Sequence, residues 1–70
     1  MLPSAQKLIL DVLKINYPYS SKVRHLIQLG DFFDITENTI RVTLARLLKC
    51  GLIVSNQRGF GSVKNQRVLV

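Results

Sequence analysis

The sequence predicts one small, mainly α-helical domain that ends in a two-stranded antiparallel hairpin. Three observations support this fold class: three segments with apolar residues at helical spacing, a β-prone pattern that begins at Leu52, and a glycine-containing turn within residues 58–62. The chain has 70 residues, 47% of them hydrophobic. That length provides one core, which must be largely aliphatic, and it leaves no room for a deep catalytic cleft.

The first helix is predicted over about residues 4–15. Its apolar side chains share one face, and Ser4 is a plausible N-cap. The helix should stop before Pro18, because the residue that precedes a proline avoids the α conformation. The apolar face consists of Leu8, Ile9, Val12 and Leu13.

A second, shorter helix is predicted to open at Ser20 and Ser21, which are both good capping residues. Gly30 is its expected C-terminal stop. The aromatic and aliphatic residues that follow are expected to plug the core beneath a turn. They are Phe32, Phe33 and Ile35.

The third helix, over residues 36–50, has the clearest boundaries. Thr36 is the expected N-cap, Glu37 places a negative charge in the positive first turn, Lys49 suits the last turn, and Gly51 suits the C′ position. Its buried stripe is predicted to consist of Ile40, Leu44, Leu47 and Leu48.

The hairpin is predicted from two β-prone runs on either side of the glycine turn. The first run begins at Leu52, and the second, residues 63–70, is expected to pair back on it. Three helices followed by a hairpin is the element order of a winged helix-turn-helix domain. We therefore interpret residues 1–70 as one such domain, with residues 52–70 as its wing.

The excess of positive charge is confined to the second half of the chain. Residues 1–37 contain four cations and four anions, whereas residues 38–70 contain six cations and no anion, which accounts for the net charge of +6. A one-sided cationic surface attracts polyanions such as nucleic acid. On charge alone, a basic surface without a function is an equal alternative.

The third helix has a polar side opposite its apolar stripe. The side chains there are of the kinds that contact base edges in a DNA major groove. At about 100° per residue, amide, hydroxyl, methyl and guanidinium groups fall on this side. The candidates for base contacts are Asn38, Thr39, Val42 and Arg46. The candidates for phosphate contacts are Arg41, Lys49, Arg58, Lys64 and Arg67. An ordinary solvated face is the alternative, but such a face would usually mix Glu with Lys.

Other reactive residue types do not form a site. A zinc site needs about four ligands, and His25 and Cys50 are the only histidine and cysteine. Neither a metal, a cofactor nor catalysis is expected, and Cys50 is interpreted as a small, partly buried residue. Phe60 has two interpretations: an apolar wedge for a minor groove, or a side chain folded back over the wing.

The segment TENTIRVTLARLLKCGLI, residues 36–53, resembles the recognition helix of the PaaX-like family, bacterial repressors of phenylacetic acid catabolism. The family pattern is Ser/Thr-Glu-Asn-x-Val/Ile-Arg-x-x-Leu-x-Arg-Leu, which leads into a glycine. This sequence matches it at Thr36, Glu37, Asn38, Ile40, Arg41, Leu44, Arg46, Leu47 and Gly51. The resemblance implies a winged helix that binds double-stranded DNA. It does not imply that this protein regulates phenylacetic acid catabolism.

The resemblance also implies a longer protein, because family members carry a C-terminal effector domain that has no counterpart in these residues. The chain is then either a DNA-binding domain of such a protein or a small relative. Exposed apolar residues offer a surface for that domain or for a homodimer; they are Leu2, Ile15, Tyr17 and Tyr19. A winged helix that binds protein instead of DNA is the alternative function.

The expected location is the cytoplasm. With one cysteine the chain cannot form an internal disulfide, which fits a reducing compartment. No apolar run approaches the roughly 20 residues of a membrane span, and no signal peptide is recognisable at the N-terminus.

Overall fold

The computed structural model describes residues 4–63. Three helices are followed by a two-stranded antiparallel sheet in which Ile53 pairs with Ser62 and Asn56 with Gly59. The elements are α1 (Ala5–Asn16), α2 (Val23–Phe32), α3 (Glu37–Lys49), β1 (Ile53–Asn56) and β2 (Gly59–Ser62). The arrangement is winged-helix-like, and the predicted fold class is confirmed.

The core is aliphatic and lies where α1, α2 and α3 meet β1. Its buried side chains are Ile9, Leu13, Leu26, Ile40, Leu44, Leu47 and Ile53. The predicted stripe of α3 is therefore confirmed, with Leu48 half-buried at its edge. Among residues 4–63, no helix has both the length and the apolar character needed to cross a bilayer.

The predicted start of α2 was wrong. Lys22 occupies the N-cap position without a side-chain cap, and neither serine caps the helix. Ser21 instead forms a β-bridge with Phe60 of β2, and its hydroxyl accepts a hydrogen bond of 3.1 Å from Asn16 Nδ2. The backbone of Ser21 pairs with Phe60. Ser21 therefore belongs to this bridge and does not cap α2.

Gly30 was predicted to end α2, but it lies inside the helix. A Cβ at Gly30 would lie 3.0 Å from the Ile35 carbonyl oxygen and 3.2 Å from the Ile40 side chain, so this glycine permits a close approach of α3. The chain reverses instead at Asp34, whose φ is 57°. Phe32 is 83% exposed and does not plug the core, whereas Ile35 packs against it.

The second strand of the hairpin begins earlier in the sequence than predicted. Its turn is formed by Gln57 and Arg58, and the glycine-containing segment Gly59–Ser62 is itself the second strand. Gly59 has a φ of 127°, and a Cβ there would overlap the carbonyl oxygen of Ser21. Gly59, which had indicated a turn, therefore allows β2 to lie against the α1–α2 loop. Apart from residue 63, the predicted second strand lies outside the described residues.

Candidate nucleic-acid interface

The orientation of α3 is set by its caps and by its buried face. The Thr36 hydroxyl accepts a hydrogen bond of 3.2 Å from the Thr39 amide, as expected of the N-cap, and Gly51 has a φ of 77° at the C′ position. Ile40, Leu44 and the rest of the stripe hold the inner side against α1, α2 and β1. The opposite side of α3 therefore faces solvent in one fixed orientation.

The structure brings the candidate residues of α3 together on that outer side. All of them are exposed, and Val42 exposes 49% of its surface in the middle of a polar face. The set comprises Asn38, Thr39, Val42, Arg46 and Lys49. The hydroxyl of Thr39 lies 3.0 Å from that of Thr36, so it is partly engaged at the cap. That these residues contact DNA stays a prediction.

Arg41 lies beside this face and is held by an acidic neighbour. Its Nε donates a hydrogen bond of 2.9 Å to Glu37 Oε2, and each side chain is 57% exposed. An exposed pair contributes little to stability, but it orients the guanidinium group. The i, i+4 spacing of Glu37 and Arg41 was the available sequence signal for this pair.

The wing turn is tied to the rest of the domain by hydrogen bonds. The Asn56 side chain accepts a bond of 2.8 Å from the Arg58 amide and donates one of 3.0 Å to the Ser20 hydroxyl. Arg58 is therefore exposed on a turn of defined shape. Lys64 and Arg67, the other cations predicted for the wing, lie outside the described residues.

Phe60 is folded back and does not project as a wedge. It is half-buried and packs against the core, where it lines a groove of about 210 Å³ with Val23, Leu44 and Leu48. Of the two interpretations drawn from the sequence, the structure therefore shows the second.

The family of the chain follows from comparison with known proteins. The family model described as PaaX-like protein matches residues 4–63, from the N-cap of α1 to the residue that follows β2. The chain belongs to the PaaX-like family. Comparison with curated proteins and with solved structures gave no match. The family resemblance read from α3 is therefore confirmed over nearly the whole chain.

In this PaaX-like chain, the described residues contain no group of three or more His, Cys, Asp or Glu side chains able to hold a metal ion. His25 is exposed on α2. Cys50 follows α3 and is exposed, so the prediction that it is partly buried was wrong. Its backbone amide closes the helix through a bond of 3.0 Å to the Arg46 carbonyl.

Sequence analysis missed two candidate DNA-contacting residues, Lys22 and Arg24. Their positive charges were cancelled in the count by the four acids of residues 1–37. Lys22 and Arg24 were counted in the neutral half of the chain, residues 1–37. In the fold they line, together with Arg58, a groove between α2 and the wing. The pairing of Ser21 with Phe60, together with the hydrogen bond between Ser20 and Asn56, holds the start of α2 against the wing.

Proposed function

We propose that this chain is the N-terminal, winged-helix DNA-binding part of a bacterial transcriptional regulator, and that the regulator is a repressor. The supporting observation is the outer face of α3, which combines amide, hydroxyl, methyl and guanidinium groups on a rigidly anchored helix. The acid of α3, Glu37, is paired with Arg41. Membership of the PaaX-like family supports a role in regulation.

In the proposed complex, α3 enters the major groove and the wing rests on the neighbouring backbone. Asn38 pairs with an adenine edge, Arg46 with a guanine edge, and Val42 contacts a thymine methyl group. Thr39 provides a hydroxyl that pairs with more than one base. The phosphate contacts come from Arg41, Lys49 and Arg58, together with Lys64 and Arg67.

The proposed role is binding without catalysis, in the cytoplasm, and it needs neither a metal nor a cofactor. Exposed apolar side chains on and after α1 favour an additional protein contact, either in a homodimer or with an effector domain. Ile15 is 80% exposed and Tyr19 is 75% exposed. If this face alone were functional, the chain would be a protein-interaction module, and α3 would bind no DNA.

The proposal is tested by measuring duplex DNA affinity by fluorescence anisotropy over a range of salt concentrations. Each phosphate neutralised contributes a slope of roughly 0.9 in log affinity against log salt, and we expect about three to six contacts per domain. The duplexes are a random sequence and the best sequence selected from a random pool. A flat salt dependence, or no preference for any selected sequence, contradicts sequence-specific DNA binding.

A further inference from the structure

A groove of about 300 Å³ lies between the start of α2 and the wing turn. Lys22 and Arg24 line it on the helix side, and Arg58 lines it on the wing side. Uncharged polar side chains complete its wing side, namely Ser55, Asn56 and Gln57. We refer to it as the α2–wing groove. It brings Lys22 and Arg24 together with Arg58, which lies more than thirty residues later in the sequence.

The three cations are not neutralised by carboxylate side chains. The four acidic residues of the chain are Asp11, Asp31, Asp34 and Glu37, and among the described residues none of them lines the groove. The ion pairs within residues 4–63 engage Lys7 and Arg41 instead. A concave surface with charge of one sign concentrates the field and attracts an anion.

The two walls of the α2–wing groove are held together by backbone hydrogen bonds. The Ser21 amide donates to the Phe60 carbonyl at 2.7 Å, and the Phe60 amide donates to the Ser21 carbonyl at 2.8 Å. Asn56 adds the bond to Ser20 described above. Because these contacts set the separation of the helix and the wing, the backbone positions that carry the three cations are fixed before a ligand binds, which reduces the entropic cost of binding.

The groove is adjacent to the outer face of α3. Val23 and Phe60 line it, and the same two residues line the neighbouring apolar groove that reaches Arg41 and Ala45 of α3. An extended polyanion that lies along α3 can therefore continue past Arg41 into the α2–wing groove. A compact anion would occupy only one of these two grooves.

We propose that the α2–wing groove binds the phosphodiester backbone of the duplex whose major groove holds α3, and that Lys22 and Arg24 are phosphate contacts together with Arg58. The inference rests on the proposed function and extends it to two residues of α2. Phosphate contacts carry no sequence information but set the register of the protein on DNA. The groove thus fixes how α3 is aligned with the bases.

The test is the double substitution Lys22→Gln/Arg24→Gln, compared with Lys7→Gln/Lys14→Gln. Both variants lose two positive charges, but the control residues lie on α1 and line neither groove. Lys22 makes no side-chain cap, so its replacement removes no helix cap. Thermal melts followed by circular dichroism establish that each variant is folded.

We expect the groove variant to lower the salt slope by about 1.8, two contacts at roughly 0.9 each. It should weaken selected and random duplexes equally, whereas the α1 variant should keep the wild-type slope. Equal slopes for the two variants overturn the inference while leaving the proposed function intact. If the wild type itself shows no salt-dependent duplex binding, the inference and the proposed function both fail.

A second arm uses inorganic phosphate and a single-stranded oligonucleotide as probes. With phosphate, NMR titration should show small chemical-shift changes of the Arg24 and Arg58 amides that do not reach saturation. With the oligonucleotide, the groove variant should lose less affinity for the single strand than for the duplex. Saturation by millimolar phosphate, or an equal loss for the single strand, contradicts a site built for duplex backbone.

Discussion

Replacing Leu44 by alanine tests the orientation of α3, on which every proposed DNA contact depends. Leu44 is 3% exposed and belongs to the core cluster, and α3 packs against α1, α2 and β1. A buried leucine replaced by alanine loses about 2–5 kcal/mol of the free energy of unfolding, through lost burial and the cavity that remains. A domain of this size has about 3–5 kcal/mol in total. Leu44→Ala should therefore be largely unfolded at room temperature.

The matched control is Val42→Ala, two residues away on the same helix. Val42 is 49% exposed, so its truncation should change the free energy of unfolding by less than about 0.5 kcal/mol. It should nevertheless weaken binding to the selected duplex, because it removes the proposed contact with a thymine methyl group. The two variants thus separate stability from recognition.

The assay is urea or thermal unfolding followed by circular dichroism, with anisotropy for DNA binding. A stable Leu44→Ala domain, or a Val42→Ala domain that is the less stable of the two, refutes the reasoning. Either result would mean that α3 is rotated about its axis. The residues assigned to its outer face would then be the wrong ones.

Two further predictions concern the helix face and the wing. Arg46→Ala should cost about 1–3 kcal/mol of binding free energy on the selected duplex and little on random DNA, whereas Arg58→Ala should weaken both and lower the salt slope by about one. Anisotropy titrations of both duplexes measure this, and equal losses on both duplexes for Arg46→Ala would make it a phosphate contact. Gly59→Ala should destabilise the wing by about 1–3 kcal/mol, because φ is 127° and a Cβ would overlap Ser21. Gly61→Ala is the control, since its Cβ would meet only ordinary contacts, the nearest at 3.5 Å, and similar melts for the two variants would contradict the close approach at Ser21.

Local patterns were sufficient to predict three helices and both ends of α3, but not the two ends of α2. The Thr36 cap, the Gly51 terminus and the stripe from Ile40 to Leu47 depend on residues within one or two turns of each other, so neighbouring residues determine them. The separation of charge between residues 1–37 and 38–70 is likewise a property of the sequence alone. These features predicted the fold class and the outer face of α3.

Contacts between distant segments decided the rest. Gly30 lies within α2 where Ile35 and Ile40 approach it closely, and Gly59 lies in a strand against Ser21, which pairs with Phe60. Periodicity within one segment contains no information about such partners, because the energy of a backbone pair or a close approach depends on both sides. The same pairing places Lys22 and Arg24 beside Arg58. The charges were present in the sequence, but only the tertiary structure made them one surface.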